Sequence, residues 1–298
     1  HIAKHVDLYR NGGVNIVINT EREGFAHSAY LMHGTCVCDI GLKVEDAQAT
    51  VARARALGAE PFEQPVGPGE LKIPAIRGVG GGLMHFVDDK TELAKVWETE
   101  FTPVTDQGTP EMGVTHVDHV GQTMNYEELL TWLLFYTTLF DTRKTPMLDV
   151  VDPAGLVRSQ VIENEKGTIR FTLNGADQRS TLAGHFISES FGSSVQHIAF
   201  ASSDIFRTAE ALRATGFKFL EISANYFADL QARFGLADEF VARLKAGNIL
   251  YDRDGDGEYF QLYSSLYGDG FFFEIVERRG GYNGYGAPNA QFRIAAQK

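Results

Sequence analysis

Three side chains in this 298-residue chain could together hold a divalent metal: His119 in "VDHV", His197 in "VQHIAF" and Glu274 in "FFFEIVER". Two neutral imidazoles and one carboxylate leave coordination positions open. That is the donor set of non-haem Fe(II) oxygenases, and Mn(II), Co(II) or Zn(II) would accept the same ligands. Glu274 raises the sharpest question, because it interrupts a run of aromatic and β-branched residues that reads as a strand. Alternation puts Glu274 on the face of Phe272 and Val276, opposite Phe273 and Ile275. Either this is an edge strand with Glu274 wet or paired to an arginine, or a bound cation makes a buried carboxylate tolerable. A lone strand histidine is more often a satisfied core residue than a ligand, so the case depends on where the chain places the two histidines.

The elements that must position them repeat. Cys36 to Phe62, His116 to Lys144 and Val195 to Phe219 each read as a short strand, a polar break, an amphipathic helix and a turn into another strand. Further strands follow, as in Arg158 to Asn174, where two strands flank a Lys-Gly turn. The pattern predicts an α+β fold of tandem βαβββ modules, arranged as two domains of paired modules. Asp204 or Ser203 is placed to cap the third module's helix, and the insertion Glu221 to Leu250 reads as helical. The polar segment Glu98 to His116, with its prolines and glycines, marks the boundary between a metal-free domain, 1–105, and a metal-binding catalytic domain, 112–298. The opening hairpin is then the tail of a truncated first module, and the chain reads as a piece of a longer polypeptide.

Aligning the modules on their first strands puts Asp39, His119 and His197 in one column. The histidines are 78 positions apart (197 − 119), and Glu274 lies 77 further on (274 − 197) in the last strand of the final module. If the modules pair about a pseudo-twofold, all three side chains can reach one central cup. In the first domain His85 falls near the Glu274 position, but no second histidine matches, so that domain is read as a scaffold.

Composition sets limits. A formal net charge of −12 without a basic cluster argues against nucleic acid or an anionic membrane as partner. The only cysteines, Cys36 and Cys38, are expected to share a strand face and stay reduced, which makes the cytoplasm the default compartment. "DRDGDG" (252–257) begins like a calcium loop, but Tyr263 stands where a bidentate Glu is required, so a hairpin turn is expected. "GVGGG" (78–82) lacks the Lys-Ser/Thr of a phosphate loop and is read as structural. Arg278-Arg279 is read as a solvated strand end, and His116 as an exposed residue preceding its strand.

Together, "VDHV", "VQHIAF", "FFFEIVER" and "GGYNGYG", with "LYRNGGVNIVIN" and "LKIPAIRGVGG", resemble the 4-hydroxyphenylpyruvate dioxygenase family of the vicinal-oxygen-chelate superfamily. The ending "GYNGYGAPNAQFR" is most similar to the dioxygenase-like C-terminal half of bacterial fused 3-dehydroshikimate dehydratases. The resemblance implies Fe(II) held by His119, His197 and Glu274, with Ser159, Asn174, Gln196 and Gln261 around a substrate. It sets His185 where the family has a glutamine, and Tyr285 and Phe292 as approximate counterparts of the residues that close its pocket. The implied partners are a small 2-oxo acid and O2, in a homo-oligomer fused in the native chain to an N-terminal barrel. The implied reaction converts 4-hydroxyphenylpyruvate and O2 to homogentisate and CO2. The competing implications are a metal-binding dehydratase half without that turnover, and a hydroxymandelate synthase with the same ligands.

Overall fold

The computed structural model describes residues 1–104 and 110–298. A hairpin of β1 (Val6–Asn11) and β2 (Val14–Asn19) and the helix α1 (Gly24–His33) precede the first module. That module runs β3 (Asp39–Lys43), α2 (Ala47–Ala56), β4 (Pro61–Phe62), β5 (Ala75–Arg77) and β6 (Leu83–Val87), with α3 (Val96–Glu100) after it. The second runs β7 (Val114–Asn125), α4 (Tyr126–Leu139), β8 (Arg143–Lys144), β9 (Leu148–Asp152), β10 (Gly155–Glu163) and β11 (Arg170–Ala176), and α5 (Leu182–Glu189) leads on from it. The third has β12 (Ser194–Ser202), α6 (Ile205–Ala214), the inserted α7 (Ala224–Phe234) and α8 (Asp238–Gly247), then β13 (Leu250–Asp254), β14 (Gly257–Tyr263) and β15 (Phe272–Arg279). The helix α9 (Ala290–Gln297) follows. The expected α+β fold of repeated βαβββ modules is what the chain adopts.

Sheet order explains how two modules make one site. The first module forms its own sheet, β3-β6-β5-β4, while the other two merge into β13-β14-β15-β12-β7-β11-β10-β8, with β9 also on β10. In each of these halves the first strand pairs in parallel with the last, β7 with β11 and β12 with β15. The halves meet first strand to first strand, β7 antiparallel to β12. One sheet face is covered by helices: Leu129, Leu133 and Tyr136 of α4 pack with Met124, Phe171 and Leu173. Ile205 of α6, Leu230 of α7 and Leu244 of α8 do the same with Phe200, Phe260 and Ile275. The opposite face is left for polar side chains.

Local chemistry fixes the ends. Asp46 accepts from the Ala49 N–H to cap α2, and Asp204 accepts from the Phe206 and Arg207 N–H groups to cap α6. "DRDGDG" is the β13–β14 hairpin turn, as its composition predicts. Two expectations are corrected, and one element is new. Cys36 and Cys38 precede β3 and share no strand face; both are free thiols. His116 is exposed but lies within β7. Helix α1 has no counterpart in the sequence reading, because its apolar residues Tyr30, Leu31 and Met32 are exposed and follow no core-facing period. The expected boundary crosses 105–109, outside the described residues. Among the described residues, no helix is long and apolar enough to cross a membrane.

The glycine run 78–82 docks against the site's framework. Gly80 has φ +63°, and a Cβ there would overlap the Ser193 carbonyl just before β12. Gly81 also has positive φ but faces open space. Gly80→Ala should therefore lose about 2 kcal/mol or more, from strain plus overlap. Gly81→Ala should lose about 1 kcal/mol, from strain alone. Denaturant unfolding of the two variants measures the difference, and equal losses would show that the Ser193 contact carries no load.

Candidate metal centre

The two central strands and their neighbour bring the three side chains together. Ala199 of β12 is in register with His119 on one side and with Glu274 on the other, and His197 lies two residues earlier on the same strand. Glu274 Oε2 is 3.5 Å from His119 Nε2 and 3.8 Å from His197 Nε2. One donor atom from each residue lies within 4.8 Å of the others. His119 and Glu274 are buried, and the His197 side chain is 12% exposed. The first module repeats the geometry in part. Gly41 is in register with His85 as Ala199 is with Glu274, and Asp39 Oδ2 sits 2.7 Å from His85 Nδ1, with no third donor alongside among the described residues.

The two imidazoles are held by different means. His119 Nδ1 donates to Asp118 Oδ1 at 2.8 Å. Asp118 in turn accepts from Arg278 Nε (2.9 Å) and Nη2 (3.0 Å) and from Arg170 Nη1 (3.2 Å). This carboxylate–histidine arrangement fixes the ring and turns Nε2 toward Glu274. Arg278 is thus not a solvated strand end. It shares a face with Glu274 and Val276, and its guanidinium is the buried counter-ion of Asp118, while Arg279 pairs with Glu277 beside it. His197 Nδ1 has no hydrogen-bond partner among the described residues. Its ring is set by packing: it stacks on Phe272 at 4.9 Å and 10°, and a Cβ on Gly121 would overlap it. Only glycine at 121 leaves the imidazole room.

Glu274 is anchored by an amide chain. Gln261 Nε2 donates to Glu274 Oε1 (2.9 Å) and to the Tyr263 hydroxyl (2.7 Å). Its Oε1 accepts from Asn289 Nδ2 (2.9 Å), whose own Oδ1 accepts from Tyr226 (3.0 Å). Gln261, expected beside a substrate, therefore has its amide engaged within the protein.

The other expected residues divide. A β-bulge makes Gln196 the extra residue between Val195 and His197, so it joins His197 on the concave face, where its Oε1 accepts from Thr123 (2.7 Å). Ser159 pairs with Asn174 across β10–β11, and Asn174 pairs with Thr123, so these residues form one polar row beside the three donors. Tyr285 sets its ring edge-on to His119 at 5.5 Å and donates to Glu163 (3.0 Å). His185 and Phe292 lie elsewhere. His185 is on the exposed side of α5, and Phe292 packs on Tyr226 in the helical core. Sequence reasoning missed Asp118, Arg170, Arg278, Gly121 and Asn289; of these only Arg278 was legible, four residues after Glu274 and so on its face.

Charge states follow from these contacts. Burial would lower the His119 pKa, but hydrogen bonds to Asp118 and Glu274 hold it above the ordinary imidazole value. His197 is pushed down to about 3 by burial and by the neighbouring His119. Burial would raise the Glu274 carboxyl, but His119 keeps it below its usual range. The metal-free site is an imidazolium–carboxylate pair beside a neutral imidazole. His119, His197 and Glu274 fit a divalent ion: three convergent donors, a negative carboxylate, and a neutral ring lacking only a partner for its second nitrogen.

Comparison with known proteins gives the same lineage twice. Residues 1–102 match the family described as hydroxyphenylpyruvate dioxygenase, N-terminal, and residues 116–257 match the glyoxalase/bleomycin resistance protein/dioxygenase superfamily. A 3-dehydroshikimate dehydratase of Pseudomonas putida is 40% identical over 297 residues, 99% of this chain and 47% of that protein. A 4-hydroxyphenylpyruvate dioxygenase of Pseudomonas sp. (strain P.J. 874) is 30% identical over 97% of this chain and 83% of its own. The solved structure of a xylose isomerase-like TIM barrel/4-hydroxyphenylpyruvate dioxygenase fusion protein superposes with a TM-score of 0.84 at 40% identity, over all of this chain and 47% of that one. The chain thus spans about half the length of the dehydratase and of the fusion protein.

The charge states predict how an added ion competes with protons. Because the His119 pKa is raised and that of His197 is depressed, metal uptake below the raised His119 pKa displaces one proton, not two. Affinity for Co(II) should be level above the raised His119 pKa and fall about tenfold per pH unit below it. Calorimetry in buffers of different ionisation enthalpy counts the protons; two released per ion would contradict the assignment.

Proposed function

We propose, from the premise that this chain belongs to the 4-hydroxyphenylpyruvate dioxygenase family, that it holds Fe(II) at His119, His197 and Glu274 and acts as a 2-oxo acid dioxygenase. The observation that carries this reading is the convergence of those three donors in one buried cluster. When bound, the metal would supply a Lewis acid for the oxo acid and electrons for O2. The chain's own part is positional. Asp118, clamped by Arg278 and Arg170, keeps His119 in the tautomer that presents Nε2. Gln261 steadies the Glu274 oxygen not turned toward the histidines. Ser159, Asn174 and Gln196 offer uncharged donors and acceptors along one side, suited to a substrate's phenol or carboxylate. Tyr285, Phe272 and Tyr263 supply aromatic walls that exclude water.

A second reading has observations of its own: the chain serves as the metal-binding half of a fused 3-dehydroshikimate dehydratase, without 2-oxo acid turnover. The 40% identity across nearly the whole chain supports it. The Gln261 amide is also committed to Glu274, Tyr263 and Asn289 rather than left for a ligand.

One assay separates them. After anaerobic reconstitution with Fe(II), 4-hydroxyphenylpyruvate should drive O2 uptake matched by CO2 and homogentisate. His197→Ala should lose this activity by at least about a thousandfold, as expected when a metal ligand is removed. Stoichiometric Fe(II) binding without O2 uptake would reject the dioxygenase reading for this substrate and favour the second.

A further inference from the structure

Of the polar atoms on the concave face without a hydrogen-bond partner among the described residues, one belongs to a tyrosine. Tyr259 is fully buried, and its hydroxyl has no hydrogen-bond partner among the described residues. The other tyrosines of this half that are buried or half-buried do not share that fate. Tyr226 donates to Asn289, Tyr251 to Glu258, Tyr282 to Asp252 and Tyr285 to Glu163, and Tyr263 accepts from Gln261. A buried hydroxyl with no partner is costly, so its retention is accounted for by a partner that comes from outside.

Its place in the sheet says where. Tyr259 alternates with Gln261 and Tyr263 on the face of β14 that carries the contacts to Glu274, and it is in register with Arg278 of β15. Its ring packs on Ala199 and Val276. Ala199 is the residue in register with both His119 and Glu274, so the ring lies over the floor between the two ligand strands. Tyr282 stacks on it at 4.9 Å and 3°, and the Arg278 guanidinium lies 4.6 Å from its centroid, which fixes its position. Arg278 itself is committed to Asp118 and does not compete for a ligand.

We propose that the Tyr259 hydroxyl is a specificity-determining donor to an anionic oxygen ligand held at the metal, the carboxylate of a 2-oxo acid. This rests on the metal-centre reading above. A phenol suits the task because it adds a donor without adding charge to a face already holding paired arginines. Burial, then the negative charge of Glu274, hold its pKa well above 10, so it stays protonated.

The test uses Tyr259→Phe in three measurements. Thermal unfolding of the metal-free protein should show equal or greater stability, since the change removes an unpartnered hydroxyl and no contact. Co(II) affinity should be unchanged. Oxalate and 4-hydroxyphenylpyruvate, titrated into the Co(II)-loaded protein and followed through the Co(II) visible spectrum, should bind about tenfold or more weakly than to wild type, the loss of one hydrogen bond to a charged acceptor. Unchanged affinity for both ligands would overturn the inference and leave the metal centre standing, as would a wild type that takes Co(II) but neither ligand. A loss of stability in the metal-free variant would overturn it by revealing a partner within the protein. Failure of the wild type to take up Co(II) would overturn both readings.

Discussion

The concave face of the nine-stranded sheet takes Asp118, Glu163 and Glu274 out of water, among other carboxylates, and its packing has to answer for their charge. Ionised groups at such depth persist only with counter-ions and hydrogen bonds. Asp118 has two arginines, Arg278 and Arg170; Glu163 has Arg143, Tyr285 and the far side of Arg170. Glu274 has no arginine or lysine in contact among the described residues. Its company is two imidazoles and an amide, and only one imidazole is inclined to carry a proton. A divalent cation is the species that would complete this set.

That constraint orders the layers behind the donors. The arginine pair holds Asp118 ionised, Asp118 holds His119, and the Tyr226–Asn289–Gln261 chain holds Glu274 from the opposite side. The inserted helix α7 and the segment before α9 therefore reach the centre through hydrogen bonds rather than by lining it. His197 is the exception, positioned by the absence of a side chain at Gly121 and by the Phe272 ring. One imidazole is held by hydrogen-bond geometry and the other by shape.

The first module carries an echo of the same arrangement. Asp39 and His85 stand at the positions of His197 and Glu274 and meet at 2.7 Å at the sheet edge. Both groups are partly exposed, and no third donor converges on them among the described residues. The first module thus shares the scaffold of the other two without completing a set of three donors.

What the sequence determined by itself was periodic: the βαβββ repeat, the helical insertion, the hairpin turn at 252–257, and the column that aligns His119 with His197 and points to Glu274. These depend on alternation and on module spacing, which are local properties of the chain. Tertiary structure alone decided what surrounds them. Asp118 and Arg278 are 160 residues apart, and only the merging of two modules into one sheet makes them an ion pair. Gly121 reads as an ordinary glycine until the β7–β12 register sets the His197 ring over it. His185 stands where the family has a glutamine and Phe292 is an approximate counterpart of a pocket-closing residue, but the faces of α5 and α9 on which they fall turn them away from the donors. Spacing along the chain specifies which side chains share a strand face. Which partners neutralise and orient them depends on pairings between strands distant in sequence, and those are fixed only when the sheet closes.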